Sequence, residues 1–240
     1  MRDGCAWLRT VRDTPVRVRP SGVARVVTTA DHISGGRVDL GIGAGWFEQE
    51  HRQNGFPFPS VGERFEMLTE ATEILVRSWS AEEFDFRGSQ YELEGQRALP
   101  APLRSPHPPL IFGGRGGPRS RALAARFGDE YNGVFLDAQA AVELRRNLDA
   151  ACVAVGRDPA EVPLSTMSVV ATGDDRKEAE DRLAGVLSGF PAARDRPFHV
   201  GTLEDAALVA DGGDGEAREV LQRMELSLVL EIEARAGAER

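Results

Sequence analysis

The run Pro109-Leu110-Ile111-Phe112-Gly113-Gly114-Arg115-Gly116-Gly117-Pro118 decides the fold class. Leu110, Ile111 and Phe112 form a short unbroken apolar stretch, the pattern of a strand buried on both faces. Glycines end it, and Pro118 stands where a fixed φ suits the first turn of a helix. Leu123, Ala124 and Phe127 give that helix an apolar face. Strand, glycine loop and helix together make the repeating unit of a parallel α/β sheet. The same loop carries chemistry. Glycines let a backbone turn its N–H groups toward a ligand, and at a helix N-terminus such a nest suits an anion. Arg115 and Arg119 add charge, and Ser120 adds a hydroxyl. No Gly-Lys-Ser/Thr follows, so this is not a Walker A loop, and the spacing is not that of the dinucleotide fingerprint. The loop reads as a phosphate site; the alternative is a flexible turn with solvated arginines.

Upstream, Ser21 to Ile33 reads as a helix with Val23, Val26, Val27 and Ala30 on one face, broken at Ser34-Gly35-Gly36. Apolar residues at 38, 40 and 42 then alternate as a strand and run into Gly43-Ala44-Gly45-Trp46. Glycine at a strand end marks close approach by a backbone or a ligand, and this is the strand end where α/β folds place ligands. Trp46 could wall an aromatic cofactor; the alternative is a tight turn with Trp46 in the core. Ser60-Val61-Gly62-Glu63 is a capping box opening a long helix with Phe65, Leu68, Leu75, Val76 and Trp79 in one stripe. Phe84 to Tyr91 reads as a hairpin-like excursion around Arg87-Gly88-Ser89, followed by a proline-rich connection.

Downstream, Tyr131 to Phe135 and Leu164 to Thr172 read as strands. A helix bearing Leu144, Leu148, Cys152 and Val155 lies between them, and another, capped by Asp174 or Asp175, carries Leu183, Val186 and Leu187. Residues 202–210 and 225–236 read as helices and Arg218 to Gln222 as a strand. The stretch Trp7 to Val11 is a poor strand candidate, because Arg9 and the following Arg12 and Asp13 suit a buried strand badly. Five good strands fall short of the eight of a closed (β/α)8 barrel, and periodicity alone slightly prefers an open doubly wound sheet.

The net charge of −9 argues against a nucleic-acid partner, which would need a basic face. Cys5 and Cys152 are the only cysteines and lie far apart, so neither a disulfide framework nor a zinc site is expected. The first residues lack the apolar core of a signal peptide and no stretch has the length of a membrane span, which leads to the expectation of a cytoplasmic protein. No two histidines have metal-ligand spacing, and no metal is expected. His32 reads as structural. His51, five residues beyond Trp46, could face the same pocket. Glu48, Glu50 and Glu63 read as solvent-facing or capping.

Taken together, Ala30 to Arg37, the Gly-Ala-Gly-Trp turn, Glu48 to His51, Gly55-Phe56-Pro57-Phe58-Pro59 and Glu63-Arg64-Phe65 resemble the middle of luciferase-like oxidoreductases. The resemblance resumes at Pro108 to Gly114 and at Ala124 to Asn132. It implies an α/β fold of the TIM-like (β/α)8 barrel type, with the active site at the carboxyl ends of the strands. Members use reduced flavin mononucleotide (FMN) with oxygen, or the deazaflavin coenzyme F420 for hydride transfer, and these residues are closer to the deazaflavin branch. By that resemblance Gly43, Ala44, Gly45 and Trp46 would line the ring pocket. Gly113, Gly114, Arg115 and Gly116 would hold the cofactor phosphate, with Arg119 and Ser120 nearby. Two or three strands precede the segment matching Ser21 onward in the family. They bring a histidine-bearing strand end and a strained peptide behind the ring, and neither can be placed here, so no catalytic residue is assigned.

The expectation is therefore a partial barrel domain over 20–240, preceded by a poorly matched segment over 1–19. Its function would be F420-dependent hydride transfer to or from a small organic molecule. An FMN-dependent luciferase-like monooxygenase and a non-catalytic barrel fragment are the alternatives. The expected partner is a small-molecule substrate, with no nucleic acid and no membrane, and a homodimer remains an open option.

Overall fold

Strand and helix alternate along the chain because apolar spacing switches between period two and period 3.6, and the computed structural model shows where each switch falls. It describes residues 8–13, 19–80, 82–167, 170–189 and 199–201. These fall into two compact units: residues up to Tyr131 with Ala150–Val162, and Asn132–Asp149 with those from Pro163 onward. The helices expected at 202–210 and 225–236, the strand expected at 218–222, and Trp7 lie outside the described residues.

The first unit begins with β1 (Leu8–Asp13), α1 (Pro20–Ser34) and β2 (Val38–Ile42). Next come α2 (Glu48–Gln53), α3 (Val61–Trp79), β3 (Phe84–Arg87) and β4 (Glu92–Gln96). It ends with β5 (Leu110–Gly114), α4 (Pro118–Phe127) and the first residues of β6 (Glu130–Val134). Strands β1, β2 and β5 are adjacent and parallel, with Leu8 opposite Val38, Leu40 opposite Leu110, and Ile42 opposite Phe112. Val38, Leu40 and Ile42 are buried and the residues between them half-buried, so the alternation holds. Sequence reading undervalued the stretch that forms β1. It is the last strand on its side of the described sheet, a position that tolerates charge better than a strand flanked on both sides.

Two helices present faces other than those their apolar residues suggest. On α1 the buried residues are Pro20, Ala24, Val27, Thr28 and Asp31, while Val26 is 63% exposed. Small Ala24 lets α3 come close: the Trp79 indole N–H donates to the Ala24 carbonyl at 3.2 Å. Asp31 Oδ2 accepts from the Leu103 N–H at 2.7 Å and fastens the proline-rich connection to α1. On α3, Leu68, Leu75 and Trp79 are buried as expected, but Arg64, Ala71, Thr72, Ile74 and Ser78 complete the face in place of Phe65 and Val76. The capping box forms as read, with Ser60 Oγ accepting from the Glu63 N–H and the Glu63 carboxylate from the Ser60 N–H. Hydrogen bonding from the Ser60 hydroxyl and from its backbone N–H holds the Glu63 carboxyl below its ordinary range, against a smaller upward push from burial.

The excursion is a true antiparallel hairpin, β3 with β4, and reaches Gln96, further than its sequence suggests. Phe84, Phe86 and Tyr91 pack with Ala71 and Ile74 of α3 in a small core of their own. Glu70 clamps the turn: its carboxylate accepts from the Ser89 N–H and hydroxyl and from the Gln90 and Tyr91 N–H groups, all within 2.9 Å. Burial pushes the Glu70 carboxyl up, but these four bonds outweigh it and leave it below the usual range. At the far end of α4, Arg157 Nη1 donates to the Gly128 carbonyl at 2.7 Å and reaches those of Ala124 and Ala125, placing a cation at the carbonyl end of the helix.

In the second unit, the remainder of β6 lies beside β7 (Leu164–Met167). The Phe135 N–H donates to the Met167 carbonyl at 2.8 Å, and Asn132 Nδ2 donates to Ser165 Oγ at 2.7 Å. Helix α5 (Ala138–Ala154) follows β6 in the chain. The single strand expected over Leu164 to Thr172 is shared between β7 and β8 (Val170–Thr172). After α6 (Arg176–Gly189) comes β9 (His199–Gly201), which pairs in parallel with β8 and was not foreseen. Three residues with one apolar side chain carry too little pattern to be read. Among the described residues, no helix is long and apolar enough to cross a membrane.

Candidate functional site

Because Ile42 pairs with Phe112, the two glycine segments leave the sheet side by side, at the carboxyl ends of adjacent parallel strands. A Cβ on Gly43 would lie 3.6 Å from the Gly113 carbonyl oxygen, so the segments are in direct contact. The residues singled out on separate grounds thus converge on one place in the first unit.

The first segment is a turn held from beneath. Gly45 has φ +76°, in the left-handed region that glycine occupies readily. Trp46 is 68% exposed, stacked on Phe47 with ring centroids 5.2 Å apart; the reading of Trp46 as a core residue is thereby corrected. Two buried side chains grip the carbonyls on either side of Gly45 and Trp46. Arg64 Nε donates to the Ala44 oxygen at 3.1 Å, and His51 Nδ1 donates to the Phe47 oxygen at 2.9 Å. The Phe58 ring lies between them, 3.9 Å from the Arg64 guanidinium and edge-on to His51 at 4.9 Å. His51 is therefore turned inward at 1% exposure, on α2, where a pocket-facing position was considered. Burial lowers the Arg64 pKa, partly opposed by the Glu48 charge.

The second segment combines open glycines with a fixed base. Gly114 has φ +154° and Gly116 φ +74°, both hostile to side chains. The Gly116 N–H donates to the Tyr131 phenol oxygen at 3.0 Å. Ser120 Oγ donates to the Gly117 carbonyl at 2.9 Å, so the 2.9 Å contact between Ser120 and Tyr131 takes its proton from Tyr131. Tyr131 is fully buried, and burial raises its pKa against the lowering by Ser120, Gly116 and Arg121. Gly116 and Ser120 thus serve the loop's own architecture here. Gly113, Arg115 and Arg119 are exposed and Gly114 half-exposed. The Arg119 guanidinium comes near the start of α3, 3.5 Å from where a Cβ on Gly62 would sit. Glycines without Cβ, a helix N-terminus capped by Gly117 with Pro118 following, and two exposed arginines fit an anionic phosphate.

Sequence reading missed Tyr131 and Arg64 as site-shaping residues. Tyr131 reads only as a strand residue. Arg64, four residues beyond the Ser60 cap and in line with Leu68, Leu75 and Trp79, is the available signal.

The luciferase-like monooxygenase family model matches residues 10–236, and the chain belongs to that family. The match begins inside the 1–19 segment. Over 169 residues the chain is 27% identical to an FMNH(2)-dependent dimethylsulfone monooxygenase of Pseudomonas putida, covering 70% of this chain and 46% of that protein. Over 181 residues it is 30% identical to an F420-dependent hydroxymycolic acid dehydrogenase of Mycobacterium tuberculosis, covering 75% and 48%. The chain spans about half the length of these curated relatives. Its fold is similar to that of an F420-dependent secondary alcohol dehydrogenase solved with an F420-acetone adduct. That likeness has a TM-score of 0.69 and 20% identity, covering 95% of this chain and 68% of that one. The α/β fold of the luciferase-like barrel class is the one expected.

Proposed function

We propose that this chain binds coenzyme F420 and serves an oxidoreductase that moves a hydride to or from a small organic substrate. The observation carrying this reading is the contact of Gly43 with Gly113, which sets the turn bearing exposed Trp46 beside the glycine loop at the N-terminus of α4. When bound, the deazaflavin supplies the hydride chemistry at its ring. The protein's part is to bind and orient. Exposed Trp46 offers an aromatic surface to one part of the ring system. Gly114, with no Cβ, lets the backbone approach the phosphate, and the N-terminus of α4 favours its charge.

FMN shares a tricyclic ring, a ribityl chain and a phosphate, so both glycine segments suit it as well, and one of the relatives above is named for FMNH(2). Arg115, exposed within the loop, and Arg119, exposed in the first turn of α4, support the deazaflavin, whose tail adds carboxylates for them to meet. Equilibrium dialysis of the protein against both cofactors tests the choice, with tighter retention of the deazaflavin expected. Preferential binding of FMN, with substrate-dependent oxygen consumption, overturns it in favour of a monooxygenase. The partner is then a small-molecule substrate in either case.

A further inference from the structure

Arginine is costly to bury, and one that sits at 6% exposure is held there by what it touches. Arg64 Nε reaches the Ala44 carbonyl, Nη1 donates to the Pro59 carbonyl, and the guanidinium plane covers Phe58. The other face of this arrangement is His51, which packs edge-on to Phe58 and holds the Phe47 carbonyl through Nδ1. Its Nε2 is buried with no hydrogen-bond partner among the described residues, so the ring is committed to that one bond. The turn from Ala44 to Phe47 is therefore clamped at both ends by side chains that share a single aromatic ring. Gly45 and Trp46, free of such bonds to side chains, project between the clamps.

We propose that Arg64 is a positioning residue for the Gly43–Trp46 turn: it sets, through the Ala44 carbonyl, where Gly45 and Trp46 stand to receive the cofactor ring, with Phe58 and His51 as its supports. This rests on the reading that the turn faces the ring. A planar guanidinium is required because one group must serve two carbonyls and stack at once. Lysine offers a single ammonium point and no plane to lay on Phe58.

The test uses the full chain with Arg64→Met, Arg64→Lys and Phe58→Leu. Hydrogen exchange of the 43–47 backbone is followed by mass spectrometry, together with dissociation constants for the deazaflavin and for FMN. In Arg64→Met, exchange over 43–47 should rise about tenfold and the better cofactor should bind about tenfold more weakly, the size of one lost strong hydrogen bond. Arg64→Lys should recover part of both changes, and Phe58→Leu should shift both in the same direction as Arg64→Met. A role in stability alone would lower the melting temperature and leave both readouts of the folded protein unmoved, which overturns the proposal. Should Arg64→Met not fold, unchanged exchange and affinity in Phe58→Leu and Arg64→Lys overturn it equally. If the wild-type chain binds neither cofactor while exchange still rises in the variants, the hold on the turn is upheld and the ring-facing reading fails.

Discussion

Replacing Tyr131 by Phe removes one oxygen and should loosen the glycine loop from below. That oxygen accepts the Gly116 N–H and donates to Ser120, inside a region where Gly116, Ser120 and Tyr131 are all buried. Phenylalanine fills the same space, so packing is nearly conserved, and the loss is that of hydrogen bonds alone. The Gly116 N–H is left buried without a partner, at a cost of about 1–3 kcal/mol. For a chain of this size that corresponds to a melting temperature lower by about 2–12 °C. Ser120→Ala should cost less, since the Gly116 N–H keeps its acceptor. The double variant should cost less than the sum, because both single changes break the same Tyr131–Ser120 bond. Thermal melts and urea titrations supply the stabilities, and amide exchange at Gly116 supplies the local measure. The folded-state pKa of Tyr131 lies above its ordinary value of 10.0, so the phenol's contribution is complete below about pH 10 and is lost as pH rises through the folded value. Tyr131→Phe should flatten that alkaline fall. A variant as stable as the parent, with unchanged Gly116 exchange, would refute the hydrogen-bond assignment at the base of the loop.

Three further outcomes are expected. Glu70→Gln keeps one acceptor oxygen and should cost about 1–2 kcal/mol in urea unfolding. Because the Glu70 pKa is depressed, its contribution is present above the unfolded value near 4.5 and lost as pH falls through the folded one, so the variant should show a shallower acid loss of stability. Gly88→Ala would place a Cβ 2.3 Å from the Glu70 carboxylate, which four hydrogen bonds hold in place; the melting temperature should fall in the parent and barely move in a Glu70→Ala background. Gly114→Val forces a branched side chain onto φ +154° with its Cβ 3.3 Å from the Tyr131 oxygen, and should weaken deazaflavin binding about tenfold or more in a fluorescence titration. Unchanged affinity in a folded Gly114→Val protein would reduce the loop to a turn.

What the sequence made legible follows strong local rules. The buried run at 110–112, the alternation at 38–42 and the capping box at Ser60 each depend on near neighbours, and each is found where read. What escaped depends on partners distant in the chain. Val26 scores as core by type, yet α1 turns Ala24 inward because Trp79, on another helix, needs a small neighbour to reach its carbonyl. Arg64 scores as surface by type, yet its charge is spent on two carbonyls and an aromatic face. Both glycine segments were identifiable from composition, but their contact with each other follows from strand order, which no local pattern carries.

That contact has a consequence for how a ligand would act on the whole molecule. Gly43 and Gly113 are neighbours in space, while the chain between them runs through α2, α3 and the β3–β4 hairpin. Bringing the two ends of so long a stretch together carries a closure entropy that is met only once the parallel strands have paired, so the site exists in the folded chain and in no local fragment of it. A molecule that touches both turns bridges that long interval and binds the native state alone. At a hundredfold excess over its dissociation constant it would add about 2.7 kcal/mol to the unfolding free energy by mass action. The melting temperature in the presence of candidate small molecules is then a direct screen for whatever spans the two turns.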